Sequence, residues 1–297
     1  MADASWLTKF PQLDRLDLLA IRKTLDGAYK AFSREYGDVI EGFFHPVLSF
    51  LVWFEKLLIT TPWPIIILVI GAIVFYASRS WKLLVGVVIS LLLVGYFGMW
   101  EDTMSTLSMI TVCTLISILL GIPVGIGMAR SDRFQKIMTP ILDVMQTMPA
   151  FVYLIPVVML LGIGKIPGLI SVVIYAIPPV IRLTNLGIRL VDKEVLEAAT
   201  AFGANGWQRL FNVQIPLAMP NIMAGINQTI MMALAMVVVA SMIGVKGLGQ
   251  PVLKSIQNQY FTLGLFNGLA IVALAIIFDR VSQAYAKRSQ KHMKGAH

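Results

Sequence analysis

The chain has 297 residues, 57% of them hydrophobic and 13% charged, with a mean hydropathy of +0.78. Soluble domains carry roughly a quarter charged residues because their surface meets water, so an ordinary soluble domain is excluded and most of this surface faces lipid. The net charge of +8 does not indicate nucleic acid: Lys and Arg gather at the ends of apolar stretches and in the C-terminal tail, with no basic patch interleaved with aromatics.

The first 35 residues mix charges of both signs (Lys9, Asp14, Arg15, Asp17, Arg22, Lys23, Asp26) and lack an early apolar core, so no cleavable signal peptide is expected. Within 12–34, Leu18, Ile21, Leu25, Tyr29 and Phe32 recur three or four apart and make one apolar helix face. Residues 38–58 repeat the theme, with Ile40, Phe43, Phe44, Val47, Leu51, Phe54 and Leu58 set against Glu41, Glu55 and Lys56. Region 1–60 therefore reads as amphipathic helices lying on the membrane or packed on its spans. A crossing at 43–60 is the alternative, interrupted by His45, Pro46 and Glu55.

Seven candidate spans follow at about 63–78, 82–99, 104–129, 147–164, 168–189, 218–245 and 263–281, each near the ~20 apolar residues a bilayer requires. The expected fold is an all-α integral membrane protein, with a transmembrane domain over 61–285 and a basic tail over 286–297. Arg79 and Lys82, then Arg130, Arg133 and Lys136, then Arg189, Lys193 and Arg209, and last Lys287, Arg288, Lys291 and Lys294 occupy alternate loops. Those loops are expected in the cytoplasm. With seven crossings and the C-terminus inside, the N-terminus is expected outside. Gly121, Pro123 and Gly125, Pro149 and Pro156, and Pro178 and Pro179 break or crowd the spans. Backbone groups freed there need protein or water as partner, not lipid.

The ionisable residues say more by their absence. Cys113 is the single cysteine and lies in an apolar stretch, which points to an inert buried thiol; His45, His292 and His297 are scattered and suggest no metal site. No span carries an acidic residue at mid-depth: Asp279 and Arg182 fall near the inner ends. An ion-coupled secondary transporter places ionisable groups mid-membrane, and a membrane-embedded enzyme needs converging nucleophiles, ligands or paired acids. Neither pattern is found. The chain is expected to be non-catalytic, with its energy supplied by another subunit.

Residues 192–217 are a polar, helix-forming insertion between two apolar stretches. Asp192 suits an N-cap, Gly203 suits a left-handed helix terminus, and Asn205 suits the cap of a second short helix running to about Val213, which Pro216 would end. Phe202, Trp207, Leu210 and Phe211 offer apolar knobs, while Ala198 and Ala199 permit close approach. Such an elbow is built to be gripped by another protein; an amphipathic loop lying on the membrane is the plainer alternative.

The order Glu197-Ala198-Ala199, three residues, Gly203, nine residues, Val213-Gln214-Ile215-Pro216 resembles the E-A-A loop of ABC importer permeases. It departs from the family pattern only by Val213 for Ile and Ile215 for Leu. The stretches DVMQTMPAFVYLIPVVMLLGIGKIPG, AIPPVIRL, IPLAMPNIMAGINQTIMMALAMVVVASMIG and KGLGQPVL extend the likeness over about 100–285 to the permeases of glycine betaine/proline betaine importers. The N-terminal hundred residues match more loosely. The resemblance implies the type I ABC importer permease fold in a bacterial inner membrane. It also implies a cytoplasmic ABC ATPase that holds ATP and Mg and grips the elbow, an extracytoplasmic substrate-binding protein, and a second copy of this chain. On that basis Glu197, Ala198, Ala199, Gly203, Val213, Ile215 and Pro216 are the expected coupling residues. Choline, carnitine or another small polar solute, amino acids included, is the alternative cargo. Gln146, Phe151, Tyr153, Asn227 and Gln228 are candidates for the translocation path, since aromatic faces attract quaternary ammonium groups. Packing for Phe151 and Tyr153, and helix bridging for Asn227 and Gln228, are the alternatives.

Overall fold

A computed structural model describes residues 12–294, with side chains as far as residue 286. Lys9, His297 and the side chains of Lys287, Arg288, Lys291, His292 and Lys294 lie outside the described residues; of the expected basic tail, the backbone is described as helix as far as residue 294.

The described residues are helical and contain no strand. In chain order the helices are α1 (Arg15–Thr60), α2 (Trp63–Ser78), α3 (Trp81–Tyr96), α4 (Trp100–Arg130), α5 (Asp132–Thr147) and α6 (Ala150–Leu161). Then come α7 (Lys165–Ala176), α8 (Pro178–Arg189), α9 (Lys193–Ala201), α10 (Gly206–Arg209), α11 (Ile215–Ala240), α12 (Gly249–Asn258) and α13 (Phe261–Lys294).

Among the described residues, five helical stretches are long and apolar enough to cross a membrane, or six if the bent pair α5–α6 counts as one span. Three local readings change. The two expected N-terminal helices are one: α1 runs unbroken for 46 residues, about 69 Å at 1.5 Å per residue, with Pro46 inside it. Its apolar positions continue in step through 34–38, where no residue stops a helix, and it too is apolar enough to span. The stretch 147–164 is not a straight span, because α5 and α6 meet at 100° across Met148-Pro149. Proline disfavours the helical conformation in the residue before it, and Met148 is extended at ψ 133°. Finally, α2 and α3 have 16 residues each, short for a full crossing. The pair α7–α8, in contrast, stays in line through Pro178 and Pro179. Pro178 sits in the first turn of α8, where its missing N–H costs nothing.

The centre is built by α4, α7, α8 and α11, with Ile110, Cys113, Val172, Ala233 and Met236 fully buried in it. The Cys113 thiol is enclosed beside Met109 and the Leu169 carbonyl, as expected of an inert residue. At Gly125 the backbones of α4 and α8 touch: a Cβ there would stand 2.7 Å from the Ile181 carbonyl oxygen and 2.7 Å from Thr184 Cβ. Only a residue without a side chain allows that approach.

Helix α1 is fastened to the rest of the bundle at two places. The Tyr29 hydroxyl donates to the Pro156 carbonyl, and Ser33 Oγ lies 3.0 Å from the Leu160 carbonyl, at the last turn of α6. Ser33 thereby meets a carbonyl that the end of a broken helix leaves without an intrahelical partner. Near the C-terminal end of α1, Glu55 forms an ion pair with Lys165 and accepts from Ser105 Oγ at 3.0 Å. No local pattern foretells this partnership, since the two charges are 110 residues apart. Breaking a buried pair strands the survivor. Glu55→Ala is expected to destabilise the fold by about 2 kcal/mol, less than the ~3–5 kcal/mol of a fully buried pair, because the Lys165 side chain keeps 30% of its exposure. Thermal unfolding in detergent checks this, and the double change Glu55→Ala with Lys165→Met should recover part of the loss.

Candidate functional site

The elbow between α8 and α11 is fixed by local chemistry at each joint. Asp192 accepts from the Glu194 amide at 2.9 Å and opens α9. At its end the Ala204 amide reaches the Ala199 carbonyl at 3.0 Å and the Gly203 amide reaches Thr200 at 2.9 Å. This paired closure requires a left-handed residue, and Gly203 supplies it at φ 82°. Asn205 and Gln208 then bond each other's backbone amides at 2.8 and 2.9 Å, a capping box that starts α10.

Pro216 does not end the second helix. Leu210–Gln214 widens into a π turn that leads straight into α11, so the chain stays helical from Gly206 to Ile243. In the π turn the Ile215 amide bonds the Leu210 carbonyl five residues back. Pro216 therefore falls in the first turn of α11, where it needs no hydrogen bond. The elbow's second limb is thus continuous with a membrane-crossing helix, which the sequence reading missed.

Glu197 and Ala198 are exposed, Ala199 is half-buried, and Val213, Ile215 and Pro216 are half-buried where the elbow meets α11. Phe202 is 93% exposed, and Trp207 and Phe211 stack at 5.6 Å while both remain open to the outside. Only Leu210 of the expected knobs is buried, against Ile188, Ala218 and Ile222. Two arginines brace the elbow. The Arg130 guanidinium, at the end of α4, lies 4.7 Å from the Trp207 ring centroid. Arg189, at the end of α8, donates to the Met128 carbonyl at 2.8 Å and pairs with Asp132 at 2.7 Å. An apolar, outward-facing surface on so short and well-capped a frame suits docking by a second protein.

Residues 117–291 match the family model described as the binding-protein-dependent transport system inner membrane component, more than half of the chain. The chain belongs to this family. It is 48% identical to the glycine betaine/proline betaine transport system permease protein ProW of Escherichia coli, over 86% of this chain and 72% of that one. It is 44% identical to the glycine betaine/carnitine transport permease protein GbuB of Listeria monocytogenes, over 97% and 96% of the two chains. That alignment takes in the N-terminal hundred residues as well. Identity to the Bacillus subtilis glycine betaine transport system permease protein OpuAB is 38%, covering 91% and 96%. Among solved structures, the inward-facing MetNI methionine ABC transporter matches with a TM-score of 0.58 at 18% identity, over 64% of this chain and 95% of that chain. The likeness fixes the fold as that of an ABC importer permease, a multi-pass inner-membrane subunit.

In this permease the five path candidates do not form one cluster. Tyr153 is buried, donates its hydroxyl to the Met145 carbonyl and packs edge-on against Tyr175 at 5.7 Å. Asn227 donates to Asp279 Oδ1 at 3.0 Å and accepts from Ser282, joining α11 to α13. Gln146, Phe151 and Gln228 are exposed on the single chain.

Proposed function

We propose that the chain is the permease of an ATP-driven importer for glycine betaine/proline betaine-type compatible solutes. The observation that carries this is the exposed elbow bearing Glu197, Ala198, Ala199 and Gly203, in a chain similar along most of its length to permeases named for such solutes. Two copies pair around one path, and each elbow docks on one subunit of an ATPase dimer that holds ATP and Mg. Closure of that dimer drives the elbows together and rocks the packed helices. A separate binding protein delivers the solute outside. Gln146, Phe151 and Gln228 face the path, while Tyr153 and Asn227 hold its walls.

The decisive experiment is uptake in proteoliposomes holding the permease with its co-purified ATPase and binding protein. Labelled glycine betaine should accumulate only with ATP at the ATPase face, unaffected by ionophores. Preferential competition by choline, carnitine or an amino acid would assign the cargo to that solute instead. Accumulation by the permease alone, driven by an ion gradient, would overturn the reading in favour of a secondary transporter.

The bracing arginine belongs to the same reading. A cation over an indole face contributes about 0.5–2 kcal/mol, enough to keep α10 in register with α4. Arg130→Ala is expected to lower uptake several-fold while ATPase binding persists, and Arg130→Lys should retain most of it. Combining Arg130→Ala with Trp207→Leu should add little to either change alone.

For orientation we propose that the elbow, the Arg79–Lys82 connection and the C-terminus lie in the cytoplasm. Seven crossings place the N-terminus outside; with α1 as a further crossing, parity brings Arg15 to the elbow side. A Cys at position 17 in a Cys113→Ser background, labelled by an impermeant maleimide, separates the two. Labelling from outside establishes the external N-terminus, and labelling only after the membrane is opened establishes α1 as a span.

A further inference from the structure

Between α3 and α13 a long apolar trench opens sideways from the bundle. A cavity of about 640 Å³ and a second of about 200 Å³ share Ser90, Leu269 and Ala273 and so run into one another. Ser80 and Lys82, at the start of α3, and Arg280, from α13, line the larger. The smaller leads away from them to Phe97 and Phe266, whose rings stack at 4.8 Å and close the far end. The trench follows the 16 residues of α3, about 24 Å at 1.5 Å per residue. Its walls are aliphatic, Val87, Val272 and Ile276 among them.

The two cations are available. Among the described residues neither Lys82 nor Arg280 takes part in an ion pair. Asp279, the neighbour of Arg280, is committed elsewhere, accepting from Asn227 at 3.0 Å and from Gln283 at 2.7 Å. The result is two positive charges at one end of a trench long enough for an acyl chain of one leaflet, which spans ~15 Å of the ~30 Å hydrocarbon core, with nothing polar between them and its aromatic stop except Ser90.

We propose that this trench is a binding site for an anionic glycerophospholipid, its phosphate between Lys82 and Arg280 and an acyl chain laid along α3 toward Phe97. A soluble anion would leave the aliphatic walls unmatched. A zwitterionic lipid would fill the walls and bring no net charge to the two cations. Basic pockets between membrane helices recognise anionic headgroups on these grounds, each Lys or Arg adding to the affinity. The bound lipid would fasten the short hairpin α2–α3 to α13, the helix that Asp279 joins to α11.

The test uses the purified full-length permease in neutral detergent, titrated with phosphatidylglycerol, phosphatidylcholine or inorganic phosphate, with the unfolding midpoint as readout. Phosphatidylglycerol should raise the midpoint at a concentration about tenfold or more below that of phosphatidylcholine, and inorganic phosphate should do nothing. Lys82→Gln with Arg280→Gln should abolish the preference while leaving the lipid-free midpoint in place. Ala273→Trp, which fills the trench and keeps both charges, should weaken both lipids. Should the double variant not fold, Lys82→Arg with Arg280→Lys must keep the preference. Equal effects of the two lipids, an equal effect of inorganic phosphate, a preference that survives Lys82→Gln with Arg280→Gln, or lipid effects undiminished by Ala273→Trp would each overturn the proposal. None of these readouts depends on which solute is carried.

Discussion

Gly203→Val is expected to insert in the membrane, retain its thermal stability within about 1–2 kcal/mol, and lose at least tenfold in solute uptake. Nothing crowds this position: a Cβ would find no atom within 4 Å. The penalty comes from the backbone alone, because Gly203 stands at φ 82°, where a β-branched residue is strained by on the order of 1–2 kcal/mol. Valine escapes by leaving the left-handed region, and that swings α10 away from α9. The 3.0 Å closure from Ala204 to Ala199 and the 2.9 Å closure from Gly203 to Thr200 then open. The bulk of the molecule does not depend on those bonds, so stability survives while the docking surface is misaligned. Gly203→Asn, which tolerates the same conformation, should retain much of the uptake. Full uptake by Gly203→Val would remove the elbow from the transport cycle.

Gly125→Leu is expected to do the reverse and damage the fold itself. The 2.7 Å approaches to the Ile181 carbonyl and Thr184 Cβ involve backbone and a β-carbon, neither of which can swing aside. Helices α4 and α8 would have to separate along the centre of the bundle. Overpacking of this kind costs typically 1–3 kcal/mol, and here it strikes the contact that holds both elbow braces, Arg130 and Arg189, in register. The unfolding midpoint and the yield of monodisperse protein should both fall, and Gly125→Ala should fall less. Gly42→Ala, at a position with open space around a Cβ, is the control and should be neutral or slightly stabilising.

Much of the elbow could be read directly from residues. Asp192, Gly203 and Asn205 each have a local job set by backbone geometry, and local jobs leave signatures over three or four positions. The fate of Pro216 was not legible in the same way. Whether a proline ends a helix or opens a new stretch depends on how the preceding turn is wound, and the π turn at Leu210–Gln214 begins at Leu210, which packs with the distant Ile188 as well as Ala218 and Ile222. The path candidates show the same division. Asn227 looks like a polar residue in search of a solute until α13 brings Asp279 and Ser282 to it.

The membrane setting, the helical class and the capped elbow with its family spacing are all legible in the residues alone. Composition, periodicity and cap chemistry act within a few residues or sum over all of them. Long-range packing alone settles that α1 is pinned by Glu55 to Lys165, that the break at Pro149 turns through 100°, and which cations remain without an acidic partner. Those outcomes depend on pairings between residues far apart in the chain, and no local pattern records which distant group a side chain will meet.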